Sequence, residues 1–147
     1  MKKTKKTREV KGALAFGLVE IVSRLDLYDF ELCVVIGPAA GLQEYARWKF
    51  EDPRFDLRGP YHGLHLCKRG YPSVIWLPRR PRTPTEISTL SHEVLHVVRR
   101  LFEWVGIPLT RDTDEAYCYA LGHLVKDVLT QFGCRGAHYG KEITVNT

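Results

Sequence analysis

The sequence predicts an α+β fold in which a small mixed or antiparallel sheet packs beside two antiparallel helices. Three observations carry this reading. "FELCVVIG", residues 30–37, is an apolar run rich in β-branched residues that ends at Gly37-Pro38, as a buried strand should. "YHGLHLC" (61–67) and "SVIWL" (73–77) flank the turn-rich "KRGYP" and read as a β-hairpin. Two longer stretches, from about Thr85 to Trp104 and from about Thr113 to Phe132, repeat apolar residues at helical spacing.

The remaining elements follow in order. Residues 13–25 are apolar enough for either a strand or a short helix. "AAGLQEYARWKF", 39–50, has helical spacing through Leu42, Tyr45 and Phe50, and "EDPRFDLRGP", 51–60, is loop. The first long helix carries the stripe Ile87, Leu90, Val94, Val97, Val98 and Leu101. Pro84 falls in its first turn, where a missing N–H costs little, and Gly106 and Pro108 stop it. The second carries Tyr117, Leu121, Leu124, Val125, Val128 and Phe132. Trp48, Trp76 and Trp104 are expected as core anchors, and "EITV" near the C-terminus as a short strand.

With 147 residues the chain suits one domain, expected over 13–147 after a basic tail, 1–12. No apolar run approaches the roughly 18–20 residues needed to cross a bilayer, and the first 22 residues lack the form of a secretory signal. The protein is therefore expected in the cytoplasm. Cys33, Cys67, Cys118 and Cys134 include no C-x-x-C pair, so they are expected as free, mostly buried thiols. Net charge is +5, much of it in Lys2, Lys3, Lys5, Lys6, Arg8 and Lys11. That arm suits weak electrostatic contact with nucleic acid, although no nucleic-acid motif follows it.

One constellation carries chemistry: His92-Glu93-Val94-Leu95-His96. Positions i and i+4 of a helix share a face, so two imidazoles can reach one metal ion, while the intervening glutamate stands beside it. His92 and His96 fall off the apolar stripe. The competing reading is a plain solvated helix face made of His92, Glu93, Arg99, Arg100 and Glu103. A third donor is sought nearby, because a catalytic zinc keeps three protein ligands and one open position. Glu115 follows His96 after 18 residues, in the first turn of the second helix. Asp112 and Asp114 are rivals, and Glu115 could instead close a capping box with Asp112 as N-cap. Gly122 would let the two helices approach closely. His62 and His65 are expected on opposite faces of a strand, unable to meet one ion. Arg79, Arg80 and Arg82 form a basic cluster before the helix, and His138 and Tyr139 lie in a Gly-rich tail.

"HEVLH", 18 residues, then Glu115 resembles the gluzincin arrangement of zinc metallopeptidases, and the region from about Tyr61 to Phe132 resembles a minimal zincin-like core of the kind seen in small bacterial and phage proteins. The resemblance covers about half the chain. It implies Zn2+ held by His92, His96 and Glu115, Glu93 as general base, and a protein or peptide substrate. It also casts "VIWLP" as an edge strand that pairs with substrate. The family's distal transition-state stabiliser has no unambiguous counterpart; Tyr119 or His123 stands nearest to that role. Two other functions compete: a zinc-binding adaptor or inhibitor without catalysis, and a nucleic-acid binder that uses the basic arm.

Overall fold

A computed structural model describes residues 12–59 and 61–133. The basic arm, the "EITV" segment, Cys134, His138 and Tyr139 lie outside the described residues. The elements are β1 (Val19–Leu25), β2 (Phe30–Ile36), α1 (Leu42–Lys49), β3 (Leu64–Leu66), β4 (Ser73–Leu77), α2 (Pro84–Val105) and α3 (Asp114–Gln131), with 3-10 turns at Asp26–Tyr28 and Ala39–Gly41. The ambiguous segment 13–25 resolves into a helical turn followed by β1.

The four strands lie in the order β1-β2-β4-β3. β1 and β2 are antiparallel, β2 and β4 parallel, and β3 and β4 antiparallel. The fold is therefore mixed α+β around a mixed sheet. β2 and β4 are its two inner strands, which explains why both read as unbroken apolar runs: a strand covered on both faces does not alternate. The "VIWLP" segment belongs to β4 and has β2 on one side and β3 on the other. It is an inner strand, and the outermost strand beside it is the three-residue β3.

Helices cover both faces of this sheet. Leu32, Val34 and Ile36 of β2 pack with Ile75 and Leu77 against the stripes of α2 and α3. Cys33 and Val35, which alternate with them, pack with Val74 and Trp76 against Leu42, Tyr45 and Ala46 of α1. On the α1 side, Tyr45 donates a hydrogen bond to the buried Glu20 carboxylate, and Lys49 Nζ lies 3.6 Å from the same group. Burial, with Glu20 adding to it, pushes the Cys33 thiol up to about 12, so it stays protonated and unreactive.

The direction of α2 and α3 follows from their contacts. Thr89 and Glu93 sit at Gly63, which precedes β3, and His96 sits at His65 within it, so α2 runs alongside β3. α3 lies over β1 in the opposite sense: His123 reaches the Arg24 carbonyl, Asp127 accepts from Ser23, and Gln131 donates to the Val22 carbonyl. β1 and β3 run in the same direction at opposite ends of the sheet, so α2, which follows β3, and α3, which opposes β1, are antiparallel neighbours over different sheet edges.

α2 begins as its sequence demands. Thr83 accepts from the Glu86 N–H while Glu86 accepts from the Thr83 N–H, a reciprocal capping box with Pro84 inside it. Gly106 ends it in the left-handed region, φ 76°. Glu86 also accepts from the Arg82 N–H and pairs with Arg79. These backbone donors and the arginine hold its carboxyl down at about 2. Several expectations fail: Trp48, expected as a core anchor, is 39% exposed on α1. Trp104 is exposed because it falls off the Leu101-Phe102 side of the helix, and Gly122 is solvent-facing, with open space where a Cβ would project. Cys118 is likewise exposed, on the outer side of α3.

Candidate metal centre

His92 and His96 project from α2 on its exposed side, and their Nε2 atoms are 3.1 Å apart. The rings are nearly perpendicular, with centroids 4.8 Å apart. Two nitrogens each about 2.0–2.1 Å from one tetrahedral ion stand roughly 3.3–3.4 Å apart. The pair thus holds close to the spacing that a shared zinc requires. Imidazole nitrogens suit zinc over the oxygen-seeking calcium and magnesium.

Glu93, one residue on, is buried at 9% exposure. Its rotation round the helix turns it towards Gly63, in the bend that leads into β3. There it lines an open cavity of about 470 Å³ with Tyr61, His62, Gly63, Thr89 and His92. Gly63 makes this approach possible, because a Cβ there would stand 2.7 Å from Thr89 Cγ2 and 3.5 Å from Glu93 Cγ. The cavity joins a carboxylate able to accept a proton to one of the two imidazoles.

The other expected site residues fall elsewhere. Glu115 is exposed in the first turn of α3. Tyr117, two residues on, packs its ring against Phe102 at 4.4 Å and donates to the Ile107 carbonyl. Phe102 is six residues past His96, roughly 9 Å along the axis, and Glu115 lies roughly 3 Å further still. A glutamate side chain does not span that distance. Glu115 does not cap its helix either: the N-cap is Thr113, without a side-chain capping bond, and Asp112 precedes it. Asp112 and Asp114 share this remote end. Tyr119 stacks on His123, centroids 6.0 Å apart, and His123 faces the backbone of β1. Three strand spacings of about 4.8 Å separate that edge of the sheet from β3. In this arrangement neither Tyr119 nor His123 shares the cavity with Glu93.

Among the described residues, no three His, Cys, Asp or Glu side chains come together as a ready metal site. The His92–His96 pair is what the fold assembles. Beside it stand His62 and His65, which strand alternation would place on opposite faces. β3 spans only Leu64–Leu66, so the period-2 argument does not extend to His62, which lines the cavity from the preceding bend. His65 turns to α2 and lies against His96, rings within 7° of parallel and centroids 6.3 Å apart. Its Nε2 is buried without a hydrogen-bond partner. Burial pushes this imidazole down to about 4, with His96 and Arg100 adding to the effect. A hydrophobic-alternation signal could not have found it, because its neighbour is a helix on the sheet face and the strand is too short for a pattern.

Comparison with known proteins adds no relative: no family model, curated protein or solved structure matches this chain. No helix among the described residues is long and apolar enough to cross a membrane.

Proposed function

We propose that this chain is a zinc-dependent metallohydrolase with a zincin-like active helix, acting on peptide bonds. The observation that carries the reading is the 3.1 Å Nε2–Nε2 spacing of His92 and His96, with the Glu93 carboxylate one residue away in an open cavity. Zinc, when bound, supplies a Lewis acid that polarises a carbonyl and lowers the pKa of water towards neutrality. The chain's own residues do the rest. His92 and His96 hold the ion. Glu93 accepts the proton of the attacking water and returns it to the leaving amine, a role suited to a carboxylate beside, and not on, the metal. Glu115 enters as third ligand only if α3 shifts along α2 by roughly two helical turns.

Glu93→Gln tests the mechanism. It should keep its zinc and lose cleavage of labelled casein, because the amide cannot accept the proton. Unchanged turnover in that variant removes Glu93 as the base.

A second reading, a protein-binding adaptor or inhibitor, draws on the large apolar side chains left exposed around the end of α2. Trp104 is 77% and Leu109 60% exposed. Stoichiometric zinc without cleavage, together with a stable partner, would favour it.

A further inference from the structure

Resting on the metal reading above, we propose that His65, on the outermost strand, is the third metal ligand, so that the centre is built from three imidazoles on two elements.

Two independent observations point to His65. Among the described residues, its Nε2 is a buried imidazole nitrogen without a hydrogen-bond partner. Proteins seldom bury a polar atom unsatisfied, and a metal ion satisfies one as well as a hydrogen bond does. Its ring also lies against His96, itself one of the metal pair, at 6.3 Å between centroids.

The distance is within reach of an ion. A ring centre sits about 3.2 Å from a metal bound through nitrogen, so two imidazoles on one tetrahedral zinc have centroids about 5.2 Å apart. His92 and His96 are already at 4.8 Å. His65 must close about 1 Å on His96, turn its ring out of the parallel stack and approach His92 as well. The strand that carries it is short. β3 has three residues and one strand partner, β4, so a shift there disturbs one short ladder.

His65 also meets the position requirement that Glu115 does not. It contacts the helix at the level of His96, whereas Glu115 lies roughly 12 Å along the axis. Three ligands would leave one coordination position, and the cavity lined by His92 and Glu93 lies beside the pair.

The test is zinc affinity of the full chain, measured by chelator competition, in the wild type, His65→Phe and Glu115→Ala. His65→Phe keeps a flat ring against His96 and removes the nitrogen. Outer-shell partners alone cost 10–100-fold in affinity, so loss of this ligand should cost on the order of 100-fold or more. Glu115→Ala should stay within about threefold of wild type. The metal-free His65→Phe protein should also be more resistant to urea than the metal-free wild type, because the orphaned nitrogen is gone. A histidine that only supported the fold would lose resistance. Zinc affinity in His65→Phe equal to wild type overturns the proposal. If that variant fails to fold, X-ray absorption on the wild-type zinc protein decides: three imidazoles support the proposal, and two imidazoles with a carboxylate overturn it. A wild-type chain that takes up no zinc refutes the metal reading itself, a distinct outcome.

Discussion

Gly63→Ala tests whether the approach of the β3 lead-in to α2 builds the site. A Cβ at residue 63 would stand 2.7 Å from Thr89 Cγ2, 3.4 Å from Leu77 Cδ2 and 3.5 Å from Glu93 Cγ. Only the first is too close. Thr89 cannot simply rotate away, because its hydroxyl donates to the Thr85 carbonyl at 3.1 Å and holds the rotamer. Overpacking of this kind costs about 1–3 kcal/mol. The alanine recovers about 0.4–1 kcal/mol by restricting the unfolded chain. The net expectation is a loss of about 1–2 kcal/mol, read as a lower urea midpoint at constant slope. Thr89→Ser removes the offending methyl and keeps the hydroxyl bond. The double variant should therefore recover about 1 kcal/mol relative to the sum of the two single effects. A neutral or stabilising Gly63→Ala would refute this account of how β3 meets α2. So would a double variant additive to within about 0.5 kcal/mol.

The capping of α2 offers two further tests. Thr83→Ala removes the acceptor for the Glu86 N–H and should lower stability by about 0.5–2 kcal/mol, measured by urea denaturation. Glu86, held at about 2 by the Arg82 and Thr83 N–H groups and Arg79, binds fewer protons folded than unfolded between pH 4.5 and 2. Its contribution is therefore complete above pH 4.5 and fades as pH falls towards 2. Glu86→Gln should flatten that part of the stability–pH profile, and an unchanged slope would show that the capping interactions do not act on this carboxyl.

Much of the architecture was legible because its signals are local. The α2 boundaries follow from Pro84 and Gly106, and the stripe Leu90, Val94, Val97, Val98 and Leu101 is buried as its spacing requires. The strand at 30–36 and the hairpin of β3 and β4 were equally plain. Strand order was not. Nothing in "SVIWL" says whether its free side meets solvent or β2, since an inner strand and a half-covered one differ only through tertiary partners. The same limit applies to the helices: the pattern fixes which side of α1 is apolar, but not that it covers the opposite sheet face from α2 and α3. At the site, the His92–His96 pair was legible because i,i+4 spacing is a property of one helix. The separation of Glu115 from His96 along the sequence does not give its place in space, which depends on where two helices meet, set by Phe102 and Tyr117. Strand alternation separates His65 from His62 but says nothing of His96, because the His65–His96 contact joins a strand to a helix, which no one-dimensional spacing records.

Zinc content decides whether His92 and His96 hold a metal. The purified full chain at neutral pH, from cells grown with ample zinc, should carry about one zinc per chain, lost in both His92→Ala and His96→Ala with the fold retained. A folded wild-type protein that is metal-free, or that keeps its zinc after both histidines are removed, would contradict that assignment.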